Sequence, residues 1–100
     1  MAKVKVKIPP HVAQMLKPDF SGWLVLEEEL KDGMTVSHLL TSLVLTYPGF
    51  RETVYNPDAG VISDQIGVVL NDRLLTFHEI SQTLLRGNDS ITILPLYYGG

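Results

Sequence analysis

The residues best suited to unusual chemistry stand at the end of the chain, where Leu96-Tyr97-Tyr98-Gly99-Gly100 follows an apolar run and Pro95. Beyond the proline, five residues reach at most about 17 Å when fully extended, and the last two carry no side chain. Such an end can enter a narrow slot. A glycine pair loses much entropy on being ordered, so it serves poorly as packing and well where backbone passes close to a partner. The plain alternative is a frayed terminus. Taken alone, the dipeptide favours that alternative.

Other candidate sites read more simply as surface. The run Glu27-Glu28-Glu29 offers neighbouring carboxylates, but no histidine or aspartate stands at ligand spacing beside it, and a solvated face explains it better. Lys3, Lys5 and Lys7 alternate along one strand, where a charged row discourages aggregation more often than it binds an anion. His11, His38 and His78 are far apart and the chain has no cysteine, so no metal site is expected. No Ser/His/Asp set and no glycine-rich phosphate loop after a strand can be singled out. The expectation is a protein with no catalytic residue and no bound cofactor.

The elements that must hold the tail can be read in order. Lys3-Val4-Lys5-Val6-Lys7-Ile8 has the period of a half-buried strand and stops at Pro9-Pro10. From His11 to Ser21 the pattern breaks, with Lys17-Pro18-Asp19 as a turn and Met15, Leu16 and Phe20 available to pack over the end of a sheet. Gly22 to Leu30 resumes as a strand, with Leu24, Leu26, Glu28 and Leu30 on one face and Trp23, Val25, Glu27 and Glu29 on the other. In a hairpin with the first strand, the glutamates and lysines share the open face.

Asp32-Gly33 turns the chain and Thr35 stands where an N-cap hydroxyl is wanted. Val36, Leu39, Leu40, Leu43, Val44 and Tyr47 then form an apolar stripe about three turns long, which predicts a helix covering one face of a sheet. Pro48-Gly49 ends it. Phe50 to Tyr55 adds a further turn before a loop at Asn56-Pro57-Asp58-Ala59-Gly60. Ile66 to Leu70 is a strand, Asn71-Asp72 turns it into Arg73-Leu74-Leu75, and Leu84 to Asp89 leads into a last strand from Ser90. Pro95 donates no backbone hydrogen bond, so regular pairing should stop there.

Composition fits this reading. A chain of 100 residues, 45% hydrophobic and 19% charged, suits one globular domain over 1–100. Its net charge of −3 gives no basic footprint for nucleic acid. Apolar runs are too short to span a bilayer, and the early lysines interrupt any signal-like segment, so a cytoplasmic protein with no membrane partner is expected.

The ordered set Val4 to Ile8, Gly33-Met34-Thr35-Val36 with Leu39-Leu40, Tyr47-Pro48-Gly49-Phe50-Arg51, Val69-Leu70-Asn71 and Ile91 to Pro95 with Gly99-Gly100 resembles the ubiquitin-like sulfur carriers. These are the small subunit of molybdopterin synthase and the thiamine sulfur carrier, the MoaD/ThiS group. The resemblance covers nearly the whole chain. It implies an α+β fold of the β-grasp type, a mixed sheet of four to five strands wrapping one main helix. It implies that the Gly100 carboxylate is adenylated by a ubiquitin-activating-type adenylyltransferase using ATP, then converted to a thiocarboxylate with sulfur from a donor. An acceptor synthase subunit would receive that sulfur. A carboxylate is a poor electrophile, and bare glycine permits the close approach its activation needs.

Two positions depart from the family pattern. Tyr97 and Tyr98 replace the small residues usual before Gly-Gly, and Asp72 replaces the glycine usual after the asparagine. Leu96, Tyr97, Tyr98 and Gly99 are expected to thread into the partner, with Leu94, Thr92, Trp23 and Val25 forming a docking patch on the open sheet face. A ubiquitin-like modifier conjugated through Gly100 and a non-catalytic β-grasp interaction module are the competing readings.

Overall fold

The opening alternation of lysine and aliphatic residues does form a strand. In the computed structural model, which describes residues 2–96, β1 spans Lys3–Ile8 with Val4, Val6 and Ile8 fully buried and the lysines exposed. The segment after it, expected to be irregular, holds a helix, α1, over Pro10–Leu16. Pro10 suits the first helical turn, where its missing N–H would have had no partner and its φ is already helical. Val12 and Ala13 are buried. Leu16 and Phe20 pack against the core as expected, whereas Met15 is 59% exposed.

Strand β2, Leu24–Glu29, runs antiparallel to β1 and sets Lys3 opposite Glu29 and Lys5 opposite Glu27. The expected shared face is therefore present, although among the described residues the ion pairs are Arg51–Asp58 and Arg73–Glu79 and none joins these strands. Helix α2, Val36–Thr46, is capped by Thr35, whose hydroxyl accepts from the His38 amide while His38 Nδ1 accepts from the Thr35 amide. Its stripe of Val36, Leu39, Leu40, Leu43 and Val44 is buried, and Tyr47 lies half-covered at its end. Helix α3, Gly49–Thr53, buries Phe50 completely. The expected loop after it is the turn of a small hairpin, β3 (Tyr55–Asn56) with β4 (Val61–Ile62).

Strand β5, Ile66–Leu70, turns through Asn71 at φ 56° into β6, Arg73–Leu74. Asparagine tolerates that left-handed conformation, which is how the turn closes with Asp72 in place of glycine. Helix α4, Phe77–Gln82, was not expected from the sequence, yet its start carries a capping box: the Thr76 hydroxyl accepts from the Glu79 amide and the Glu79 carboxylate from the Thr76 amide. Strand β7, Ser90–Pro95, completes a five-stranded sheet ordered β2-β1-β7-β5-β6, in which only β1 and β7 are parallel. Helix α2 and the inner faces of the strands share one core, with Ile91, Ile93 and Val68 essentially inaccessible.

The α4 cap makes a prediction with a definite sign. The Thr76 backbone amide, then its hydroxyl, and Arg73 at 2.6 Å hold the Glu79 carboxyl below the ordinary glutamate range. The folded protein thus binds this proton less tightly than the unfolded chain, so the contribution is present at neutral pH and lost as pH falls through the lowered folded value. Thr76→Ala is expected to cost about 1 kcal/mol. In urea titrations the difference between parent and Glu79→Gln should vanish on acidification; a difference that grows instead would refute this account.

Candidate functional site: the open sheet face and the root of the tail

The pleat decides what the uncovered face of the sheet displays. Because successive side chains alternate, the strands that send Val6, Ile91, Ile93 and Val68 to the core send Lys7, Thr92, Leu94, Gly67 and Val69 outward. The pairings then align one row across all five strands, from Val25 through Lys7, Thr92 and Val69 to Leu74. In the adjacent row Leu94 lies opposite Gly67.

Of the four residues expected to form a docking patch, Val25, Thr92 and Leu94 stand on this face, and Trp23 lies just before β2. Trp23 is 49% and Val25 52% exposed, while Thr92 and Leu94 are half-buried. They do not form one continuous apolar surface, because Lys7 stands between Val25 and Thr92 in the row. The larger apolar area continues the other way, into Val69 and Leu74, the latter 57% exposed. Sequence reasoning passed over these two and Gly67, although the alternation within Ile66–Leu70 already assigned Gly67 and Val69 to the outer face.

The root of the tail differs from expectation in one respect. Pro95 does not end the pairing: it lies opposite Ile66, and the next amide, of Leu96, donates to the Gln65 carbonyl at 2.7 Å. Strand amides point alternately to the two neighbours, so if Leu96 faces β5 the ring nitrogen of Pro95 faces the other side. There, β1 has already ended its pairing at Lys7 opposite Thr92. The missing donor therefore costs no ladder bond. Leu96 is half-buried and attached to the sheet, so pairing runs at least one residue further than expected. Tyr97, Tyr98, Gly99 and Gly100 lie outside the described residues.

Beside this root runs a groove of about 510 Å³, bounded by His11 and Met15 of α1, Glu52 of α3, and Gln65, Pro95 and Leu96. Among the described residues no three histidine, aspartate or glutamate side chains gather as metal ligands. His11, His38 and His78 lie on three different helices. The features concentrated at the end of β7 are thus an apolar outer face and an anchored Leu96.

The sequence model of the ThiS family matches residues 19–100, from before β2 through the final glycine. The chain belongs to the ThiS family. That membership agrees with the resemblance to ubiquitin-like sulfur carriers drawn from the ordered residues. No curated protein matches this ThiS-family chain significantly in sequence. Solved structures do. Small archaeal modifier protein 1 of Haloferax volcanii has a TM-score of 0.74 at 20% identity, over 98% of this chain and 99% of that one. The corresponding protein of Methanosarcina acetivorans gives 0.68 at 28% identity, over 100% and 98%. A protein assigned as molybdopterin converting factor subunit 1 of Pyrococcus furiosus gives 0.69 at 23% identity, over 97% and 100%. The shared architecture is the β-grasp fold, here with a five-stranded mixed sheet. No helix among the described residues is long and apolar enough to cross a membrane.

Proposed function

We propose that this ThiS-family protein is a sulfur carrier that reacts through the carboxylate of Gly100. The observation that carries the reading is the family match running through Gly99-Gly100, on a chain whose Leu96 is anchored to the sheet beside an outer face bearing Leu94. A ubiquitin-activating-type adenylyltransferase would join the carboxylate to the AMP moiety of ATP, with pyrophosphate as leaving group. Sulfur from a donor would then displace AMP and leave a thiocarboxylate. The carrier supplies the acyl group and a docking surface, and its partners supply the catalysis. The acceptor chemistry is a pterin precursor of the molybdenum or tungsten cofactor, the thiazole of thiamine, or an activated serine on the way to cysteine. The test is the intact mass of the chain after incubation with ATP, the activating enzyme and a sulfur donor, which should rise by the exchange of one oxygen for sulfur.

A second reading has its own support, since two of the similar structures are named small archaeal modifier proteins. A modifier would deliver the same activated carboxylate to a lysine amine, and covalent adducts isolated from cells would reveal it. A plain interaction module would need neither reaction and would tolerate loss of both glycines.

The docking surface gives a further expected result. Leu94 is half-buried on the outer face opposite Gly67, so Leu94→Asp should fold normally while weakening binding to the activating enzyme or acceptor. A charge at the centre of a desolvated contact characteristically costs more than tenfold in affinity. Binding unchanged in calorimetric titration would remove this face from the interface.

A further inference from the structure

Gly67 is where the Leu96 side chain meets the sheet. A methyl group built on it would stand 3.1 Å from Leu74 Cδ1 and 3.2 Å from Leu96 Cδ2, closer than ordinary carbon contacts. The reason for glycine is space, because the positive-φ glycines are Gly22, Gly33 and Gly60 and not this one. Although Gly67 belongs to the uncovered face, it is buried, with Leu74 and Leu96 reaching over it from either side. The Leu96 amide meanwhile donates to the Gln65 carbonyl at 2.7 Å. Leu96 is thus fixed twice, by its backbone on Gln65 and by its side chain over Gly67.

We infer that Gly67 is a positioning residue whose bare backbone seats Leu96, setting the point from which the four residues to Gly100 continue. This rests on the carrier reading. Those residues span at most about 14 Å, so their starting point bounds where the reacting carboxylate can be placed. A seated Leu96 spares the activating enzyme the entropy of ordering one more residue, and displacement of its side chain misplaces the carboxylate relative to ATP. Neither glycine of the terminal pair can supply that anchor, because neither has a side chain to seat.

The test is a double-mutant cycle on Gly67→Val and Leu96→Ala with two readouts. The first needs no enzyme: amide hydrogen exchange at Leu96 should speed up about tenfold or more in Gly67→Val, since the branched side chain occupies the seat, while core amides stay protected. The second is ATP–pyrophosphate exchange with the adenylyltransferase from the same genome. Each single variant should lower kcat about tenfold with KM for the carrier within about twofold, and the double variant should be no worse than either, because an emptied seat cannot be lost again. Gly67→Ala should move both readouts in the same direction by less, and it serves if the valine variant does not fold. Unchanged Leu96 exchange, multiplicative losses in the cycle, or a rise in KM alone would each overturn the inference. If the parent chain is not adenylated at all, the carrier reading fails, while the exchange measurement still decides whether Gly67 seats Leu96.

Discussion

A variant with one alanine appended after Gly100 is expected to fold as the parent does and to lose adenylation and thiocarboxylate formation altogether. The added residue moves the carboxylate by up to about 3.6 Å, and a nucleophile displaced that far is outside near-attack distance of the ATP α-phosphorus. Deleting Gly100 makes the opposite shift and should be as damaging. The fold has little reason to respond, because four residues separate the extension from Leu96, where the described sheet pairing ends. Thermal unfolding should therefore coincide for all three chains, while intact mass after incubation with ATP, the activating enzyme and a sulfur donor should show sulfur on the parent alone. An extended chain that still exchanges its terminal oxygen for sulfur would refute Gly100 as the reacting residue and leave the interaction module as the better reading. Tyr98→Ala adds a graded case: it should fold normally, and its activation reports whether the aromatic pair before the glycines is an anchor or is merely tolerated.

The second large effect is expected far from the tail. Leu43 is completely buried in the stripe of α2 that covers the sheet, so Leu43→Ala should cost about 2 to 5 kcal/mol, the range for a truncated buried leucine with its residual cavity. At roughly 4 to 8 °C per kcal/mol for a domain of this size, the unfolding midpoint should fall by about 10 °C or more. Thr41 on the same helix is only partly covered, and its hydroxyl donates to the Ser37 carbonyl at 2.9 Å within the helix. Its replacement by alanine should leave the midpoint within a few degrees. Equal small shifts for the two variants in denaturant titration would show that α2 does not cover the sheet as described.

Sequence legibility followed the strength of local pattern. The lysine–valine alternation of β1, the five buried positions of α2 and the inward isoleucines of β7 repeat with one period over at least six residues, and each was placed on its correct face. Short elements were missed. Helix α1 has two prolines at its entry and only Val12 and Ala13 buried, too brief for a helical period to emerge. Helix α4 is six residues long and buries Ile80 alone, although its Thr76-x-x-Glu79 capping box was legible. The β3–β4 hairpin pairs two residues with two, below what alternation can signal.

At the candidate site, the outward parity of Val25, Thr92 and Leu94 was read from alternation, whereas the extent of the patch required knowing that β5 and β6 lie beside β7. The same limitation explains Pro95. Whether a proline breaks a ladder depends on which neighbour its nitrogen faces, and that is a property of strand order, not of the residue. Leu96 was assigned to the free tail for a related reason: its partners, Gln65 and Gly67, are about thirty residues away in sequence and invisible to any local rule.

The parallel pairing of β1 with β7 has a consequence for biosynthesis. These are the first and last strands of the structure, and they lie side by side in the middle of the sheet. During translation the central ladder cannot close until the final strand has been made, so the rate-limiting contacts are among the most distant in sequence and folding is governed by high contact order. A nascent chain terminated before Ser90 lacks the strand that joins the β1–β2 pair to the β5–β6 pair, and remains open to proteolysis. Completion of the sheet is thus a late step, and a molecule that has acquired its native sheet has been synthesised at least to the root of its tail.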